Sequence, residues 1–284
     1  MALRATMADS APPTLEDIEV GLLLEGVRRQ FGLDFGRYAS PALRRRLRLC
    51  MEAEGVATVS ALQDRVLHDP DSLRRFVRTV SLRVTGMFRD PRLFGAVRRH
   101  VVPWLRSHPS LRIWHAGCST GEEVFSMAIL LEEEGLLERT RIYASDIDPE
   151  LLEVAGQGRV PLQRLAGYIE AHRRAGGTGS LLDHLRIEGE WAVLDARLRA
   201  RITWAHHNLA TDGSFNDFHL LLCSNVLIYL DREPQRHAVE VLGDSVVRFG
   251  FLGLGTRELL GPGVEELGFR RLDDGDVNLY KRMR

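Results

Sequence analysis

The spacing of apolar residues divides the chain into a helical first part and a second part in which strands and helices alternate. Before residue 111, apolar residues recur three or four positions apart, as on one face of a helix, in "TLEDIEVGLLLEGVRRQFG" and "SPALRRRLRLCMEAEG". Further helices are predicted near 58–68, 70–82 and 91–106. This part shows no strand pattern, repeat or low-complexity segment, so we expect it to contain helices only.

After residue 111, short apolar strands are separated by helical segments. The predicted strands are "LRIWHA", "RIYASD", "ARITWAHHN", "FHLLLCSN" and "GFLGLG", and "FRRLDDGDVNLYKR" follows as a terminal strand or hairpin. Helices are predicted at 121–134, at 149–157 and around "DREPQRHAVEVLGDSVV". Continuously apolar strands with helices between them are typical of a parallel, doubly wound α/β sheet. Residues 158–200, with the flexible "AGGTGS" and two possible short strands near 185–194, are predicted as a small β-subdomain inserted on this sheet.

These patterns predict a disordered tail at 1–13, a helical N-terminal domain at 14–90 and an α/β domain at 91–284. The tail lacks the apolar core of a signal peptide. The longest apolar run of the chain is interrupted by Ser224 and Asn225 and is too short to span a bilayer. The three cysteines lie far apart without pairing or metal spacing, which favours a reducing compartment. We therefore expect a cytoplasmic protein without membrane insertion.

Charge is unevenly distributed along the chain. The net charge is −1 over 284 residues, but residues 1–110 carry 18 Arg and 12 Asp or Glu, a net charge of +6. This asymmetry suggests that the helical domain meets an anionic partner, although a solvated helix surface is the alternative. Nucleic acid is a poor partner, because the arginine-rich helix has no interleaved aromatic residues. The adjacent His206 and His207 point to opposite faces of a strand, so no metal site is expected.

Candidate binding residues follow the predicted strands, at the sheet edge where ligands of such folds bind. The turn "GCSTGEE" after the first strand begins at Gly117 and lacks both the three close glycines of a dinucleotide site and the lysine of a phosphate loop. Its acids are Glu122 and Glu123. Asp146 ends the second strand about two dozen positions later, where an acid accepts hydrogen bonds from a ribose diol. The pairs Asn208–Leu209 and Asn225–Val226 follow the next two strands.

A nucleoside that carries a cationic amine instead of phosphates fits these acids best. S-adenosylmethionine (SAM) is such a ligand, because it combines adenosine, a sulfonium and an amino-acid end whose ammonium needs an anion. Simpler readings stay open for each acid. Asp146 could cap the following helix, and Glu122 and Glu123 could be ordinary favourable charge at a helix N-terminus.

Several motifs together resemble the CheR family, the chemoreceptor glutamate methyltransferases of chemotaxis-like pathways. They are "WHAGCSTGEEVFSMAILL", "YASDIDPELLEVA", "HNLATDGSFNDFHLLLCSNVLIYLDRE" and "GFLGLGTRELL", and "RRFVRTVSLRVTGMFRDPRLF" resembles the family's interdomain linker. The likeness extends from about residue 20 to 282. It implies a Rossmann-like SAM-methyltransferase domain after a small all-α domain, with S-adenosylhomocysteine (SAH) as product. It also implies that the basic domain faces the acidic methylation helices of a receptor.

The resemblance assigns roles to matching positions. It implies that Glu122 binds the methionine ammonium, that Asp146 binds the ribose, and that Tyr229 lies beside the transferred methyl group. The other implied cofactor contacts are Arg83, Thr85, Arg89, Gly117, Asn208, Leu209, Asn225 and Val226. Arg89 would also orient the substrate carboxylate, which at a reference pKa of ~4.3 is already a nucleophile and needs no general base. Alternatives are a surface ion pair of Arg89 with Asp90 or another neighbour, and a core position for Tyr229.

Three residues depart from the family pattern. Arg83 replaces a usual asparagine, Gly86 replaces a larger residue, and Ser224 replaces a usual arginine and so removes an internal ion pair. A catalytically degenerate adaptor that binds receptors without turnover is therefore the rival of an active enzyme. A methyltransferase for a small carboxylic acid is a third possibility, but such a substrate needs no basic docking domain.

Overall fold

The computed structural model describes residues 14–31, 41–80, 85–230, 232–260 and 267–284. The chain forms two compact units, Met1–Val84 and Thr85–Arg284. The tail predicted at 1–13 and the linker residue Arg83 lie outside the described residues. Among the described residues, no helix combines the length and the apolar character needed to cross a lipid bilayer.

The first unit is built from four helices: α1 (Leu15–Phe31), α2 (Pro41–Glu54), α3 (Val59–His68) and α4 (Pro70–Val80). Their apolar faces bury one cluster, whose members include Leu23, Val27, Leu43, Leu47, Leu62, Val66 and Phe76. The Thr58 hydroxyl caps α3 by accepting a hydrogen bond from the amide of Ala61. Arg75 on α4 reaches Glu54 on α2 with an N–O distance of 2.7 Å. The prediction of helices only is confirmed for the described part of this unit.

The second unit begins with a segment that the sequence analysis placed in the helical domain. Residues 85–90 belong to this unit because Phe88 is buried against Phe94 and His172, with ring centroids 5.0 Å apart in each pair. The helical stretch that follows consists of α5 (Pro91–Ala96), a π-helical turn (Val97–Val101) and α6 (Val102–Leu105). Asp90 caps α5 through the amide of Leu93.

The remaining elements form a sheet with helices between its strands. The strands are β1 (Leu111–Ala116), β2 (Thr140–Asp146), β3 (Arg159–Pro161), β4 (Leu185–Glu188), β5 (Trp191–Leu194), β6 (Ile202–His206), β7 (Phe218–Cys223), β8 (Val246–Leu254), β9 (Phe269–Arg271) and β10 (Asn278–Arg282). The helices are α7 (Glu122–Glu133), α8 (Pro149–Gly156), α9 (Leu165–Arg174), α10 (Ala196–Arg199) and α11 (Arg232–Asp244).

The main sheet has the strand order β6-β2-β1-β7-β8-β10-β9. The first five strands in this order run parallel, and β10 pairs antiparallel with both β8 and β9. The predicted doubly wound α/β fold is therefore confirmed, and the terminal segment is a hairpin. Because β6, β2, β1 and β7 run parallel, the turns that follow these strands lie at the same edge of the sheet.

The predicted insertion is a three-stranded antiparallel sheet in the order β3-β5-β4, together with α9. The buried carboxylate of Glu133 on α7 binds two residues of this insertion. One oxygen of this carboxylate lies 2.7 Å from Nε2 of His172 and 3.1 Å from the donating amide of Thr178, and Arg98 binds the other oxygen. Although burial raises the pKa of Glu133, these donors lower it to about 2.

Candidate active site

The turn after β1 brings its backbone close to two neighbouring elements. Gly117 has a φ of 72° and Gly121 a φ of 91°, values that favour glycine. A Cβ atom on Gly117 would overlap a methyl group of Val226, and one on Gly121 would come within 2.8 Å of the Phe125 ring. The turn can therefore approach the loop after β7 only because residue 117 is glycine.

Asp146 holds this turn from the end of β2. Its side chain is buried, with Oδ2 accepting from the amide of Ser119 at 2.8 Å and Oδ1 accepting from the amide of Asp148 at 3.0 Å. The cap of α8 is Asp148, whose carboxylate accepts from the amide of Glu150. Asp146 therefore does not cap α8, and its ribose contact remains a prediction.

Glu122 is a buried acid at the first position of α7. Its carboxylate, in a residue only 5% exposed, accepts a hydrogen bond from the Thr120 hydroxyl at 2.6 Å. Burial raises the pKa of Glu122, and the charge of Arg164 in the insertion opposes this shift. Within the described residues no cation lies within ion-pair distance of Glu122. A buried carboxylate that forms no ion pair with the described residues suits a cationic ligand group.

Glu123, the second acid of the turn, points to a different neighbour. Its carboxylate lies 3.2 Å from Nδ1 of the buried His115. Glu122 and Glu123 therefore differ in environment: a threonine hydroxyl lies beside Glu122, and a histidine ring lies beside Glu123.

The linker segment is tied to the same turn by two hydrogen bonds through Ser126. The amide of Phe88 donates to the Ser126 hydroxyl at 2.8 Å, and that hydroxyl donates to the carbonyl of Glu122 at 2.7 Å. These bonds bring the segment that carries Thr85 and Arg89 to the first turn of α7. The side chain of Arg89 is exposed and makes no ion pair within the described part of the chain. The alternative of a surface pair with Asp90 is therefore not seen.

The loop after β7 is organised by Glu258, which sequence reasoning did not identify. This carboxylate is 3% exposed and accepts hydrogen bonds from four backbone amides, those of Asn225 (2.7 Å), Val226 (2.7 Å), Leu227 (2.8 Å) and Gly255 (2.9 Å). Burial raises the pKa of Glu258, whereas the amides lower it. Asn225 has a φ of 60°, which the amide contacts stabilise. The side chain of the predicted catalytic Tyr229 lies outside the described residues.

Asn208 begins the loop after β6, directly beside the end of β2. The amide of His207 donates to the carbonyl of Asp146 at 3.1 Å, and the Asn208 side-chain oxygen accepts from the amide of Ala210 at 3.0 Å. Leu209 is buried in the core. The structure thus gathers the predicted residues Gly117, Glu122, Asp146, Asn208, Asn225 and Val226 at one sheet edge. Within the described residues, no group of three potential metal ligands is present.

The residues at this edge fit SAM without any phosphate-binding feature. The uncompensated carboxylate of Glu122 suits the ammonium group, and the acid at the end of β2 occupies the position of a ribose-binding residue. Together the fold and this edge define a SAM-dependent methyltransferase.

Comparison with known proteins narrows this class. Residues 83–271 match the SAM-binding domain of CheR methyltransferases, and residues 18–81 match the CheR methyltransferase all-alpha domain. "Putative methyltransferase Cher3" of Pseudomonas putida is 45% identical over 242 residues, which cover 85% of this chain and 89% of the relative. "Chemotaxis protein methyltransferase" of Listeria innocua is 28% identical over 239 residues, which cover 83% and 88%. "Chemotaxis protein methyltransferase 1" of Pseudomonas aeruginosa is 28% identical over 253 residues, which cover 81% and 85%.

The chain belongs to the CheR methyltransferase family, and its cofactor is SAM. The resemblance that the motifs indicated is therefore confirmed.

Proposed function

We propose that this protein is a cytoplasmic protein-glutamate O-methyltransferase that methylates glutamate side chains of a chemoreceptor. The observation that carries the proposal is the buried carboxylate of Glu122, which forms no ion pair with any described residue and lies between β1 and α7 of a CheR-family chain. The names of the Listeria innocua and Pseudomonas aeruginosa relatives, both chemotaxis protein methyltransferases, support it.

The proposed reaction makes few demands on side-chain acid–base chemistry. When bound, SAM supplies an electrophilic methyl group. A substrate glutamate, with a reference pKa of ~4.3, is already ionised at neutral pH and can attack without a general base. The protein must hold that carboxylate in line with the methyl group and keep water out. We assign the orienting role to Arg89, which has no competing carboxylate partner in the described residues, and place Tyr229 beside the methyl group.

The first unit would bind the receptor. Arg45 and Arg48 are exposed on α2, while Arg44 forms an ion pair with Asp17 on α1. Exposed guanidinium groups on a helix suit the acidic methylation helices of a receptor, because complementary charge steers association.

Calorimetric titration with SAH tests the cofactor site. Wild-type protein is expected to bind, and Asp146→Ala is expected to bind far more weakly, because the turn and the ribose would both lose an acceptor. Asp195→Ala is the matched control, since Asp195 is a half-buried acid that caps α10 through the amide of Arg197. Equal binding by wild type and Asp146→Ala would contradict the assignment.

Methyl transfer to a purified receptor fragment tests the substrate. We expect base-labile methyl esters, formed from radiolabelled SAM, on glutamates of the cytoplasmic helices. SAH binding without any ester would instead support the adaptor. In that case, activity gained by Arg83→Asn would locate the defect in the linker.

A further inference from the structure

The linker holds one residue in a strained backbone conformation, directly before Arg89. Phe88 has a φ of 51°, in the left-handed region that bulky side chains rarely adopt. The amide of Arg89 donates to the carbonyl of Gly86 at 3.2 Å and closes a turn around Phe88. Relaxation of Phe88 to an ordinary negative φ would rotate the backbone by on the order of 100° and turn Arg89 away from its present direction. Such strain persists only where the surrounding structure imposes it, and it is common at functional sites.

Three contacts hold Phe88 in this conformation. Its amide donates to the Ser126 hydroxyl at 2.8 Å. Its ring is fully buried and meets the rings of Phe94 and His172 edge to face, at interplanar angles of 62° and 60°. Ser126 belongs to α7 and Phe94 to α5, whereas His172 belongs to α9 of the insertion. The insertion therefore supports the turn that carries Arg89.

The ring of His172 is itself held on two sides. Its Nε2 lies 2.7 Å from a carboxylate oxygen of Glu133, and because that ionised group can only accept, Nε2 carries the proton. A Cβ atom on Gly177 would lie 2.1 Å from the same nitrogen, so only glycine at this position lets the backbone cover the ring. His172 thus presents a fixed aromatic surface to Phe88.

We propose that His172 is a positioning residue for methyl transfer, which keeps Arg89 in its reactive direction through the ring of Phe88. The inference rests on the proposed function, because Arg89 is assigned there to orient the substrate carboxylate. A fixed ring packed edge to face resists the relaxation of Phe88. Since a misplacement of about 1 Å can lower a rate about a hundredfold, the insertion would contribute to catalysis as well as to the fold.

Two substitutions separate the two contacts of His172. His172→Gln keeps an N–H donor for Glu133 but removes the ring that Phe88 packs against, whereas His172→Phe keeps a ring and removes the donor. We expect His172→Gln to lower kcat for receptor methylation about tenfold to a hundredfold, with the smaller loss of stability in urea unfolding. His172→Phe should show the larger loss of stability and keep most of its kcat. A role in stability alone would make kcat follow stability in both variants.

Hydrogen exchange measures the same separation without turnover. The amide of Phe88 should exchange faster in His172→Gln and stay protected in His172→Phe. The amide of Thr178, which donates to Glu133 at 3.1 Å, should respond more strongly to His172→Phe. His184→Gln is the matched control, since His184 lies 3.8 Å from the same Glu133 oxygen and no ring contact joins it to Phe88 in the described part of the chain. It should leave both kcat and the exchange of the Phe88 amide unchanged.

Two results would overturn the inference. Unchanged exchange at Phe88 in His172→Gln would mean that Ser126 and Phe94 hold the turn without His172. An equal loss of kcat in both His172 variants would mean that His172 only stabilises the insertion. If wild-type protein formed no ester, the proposed function would fail, whereas the exchange comparison would still decide whether His172 holds Phe88. The two failures are therefore distinguishable.

Discussion

Replacing Glu258 by glutamine tests whether one carboxylate organises the loop after β7. Its two oxygens each accept from two backbone amides, Oε1 from Val226 and Leu227 and Oε2 from Asn225 and Gly255. In Glu258→Gln one oxygen becomes an amino group, so two buried amides lose their acceptor and face another donor. A buried donor left unsatisfied costs about 1–3 kcal/mol. The variant should therefore be destabilised by about 2–6 kcal/mol.

Urea unfolding and SAH calorimetry measure the two consequences of Glu258→Gln. Unfolding should begin at lower urea, and SAH affinity should fall, because Asn225 would lose the contact that supports its left-handed backbone. Glu240→Gln is the control, since Glu240 is exposed on α11 and its pair with Arg236 is a surface pair. The control should change stability by less than about 0.5 kcal/mol. If Glu258→Gln matched wild type in both measurements, the loop would not depend on this carboxylate.

Three further variants test the anchoring of the insertion, the turn after β1 and the linker. Glu133→Gln should lower stability by up to about 3 kcal/mol at pH 7, because the pKa of the carboxyl is lowered from 4.5 to about 2. The difference from wild type in urea unfolding should hold from pH 7 to about 5 and shrink as pH falls from about 4.5 towards 2, where the stabilising charge is lost; a constant difference down to pH 3 would contradict this account. Gly117→Ala should reduce SAH affinity in calorimetry, because the new methyl group overlaps Val226, whereas Gly135→Ala, at a similar φ of 68° with open space around it, should cost backbone strain only. Ser126→Ala should lower both SAH affinity and kcat/KM by releasing the linker from α7, and unchanged values for both would show that the linker is positioned by other contacts.

The parallel sheet could be predicted because its information is local. A strand buried on both faces is largely apolar, and "FHLLLC" and "LRIWHA" follow this pattern, since each is buried at five of its six positions. Asp146 could be proposed as a site residue for a similar reason, since the end of a parallel strand lies at the ligand-binding edge wherever the rest of the chain goes. Its bond to the amide of Ser119 could not be foreseen, because this bond depends on the path of the turn.

Features that depend on contacts between distant parts of the chain could not be predicted from the sequence. Strand β3 has three residues and exists only through pairing with β5, about thirty positions later. Glu258 accepts hydrogen bonds from amides as far as 33 positions earlier, and backbone amides carry no sequence signal. Arg164 lies in a polar stretch that looks like an ordinary insertion. Its contact with the carbonyl oxygen of Thr85, at an N–O distance of 3.5 Å, is defined only by the folded chain.

Two of the three departures from the family pattern, Gly86 and Ser224, lie within the described residues. A Cβ atom at Gly86 would lie 3.4 Å from the ring of Tyr168, an ordinary packing distance, so the position faces a side chain of the insertion. The hydroxyl of Ser224 is buried and has no hydrogen-bond partner among the described residues. Two carboxylates, those of Glu258 and Glu123, act electrostatically on the adjacent Cys223, and both already have partners. Glu258 has its four amides and Glu123 lies beside His115. The uncompensated acid of the site is still Glu122, so the electrostatic requirement of a cationic donor is retained, and we expect turnover and not an inert adaptor.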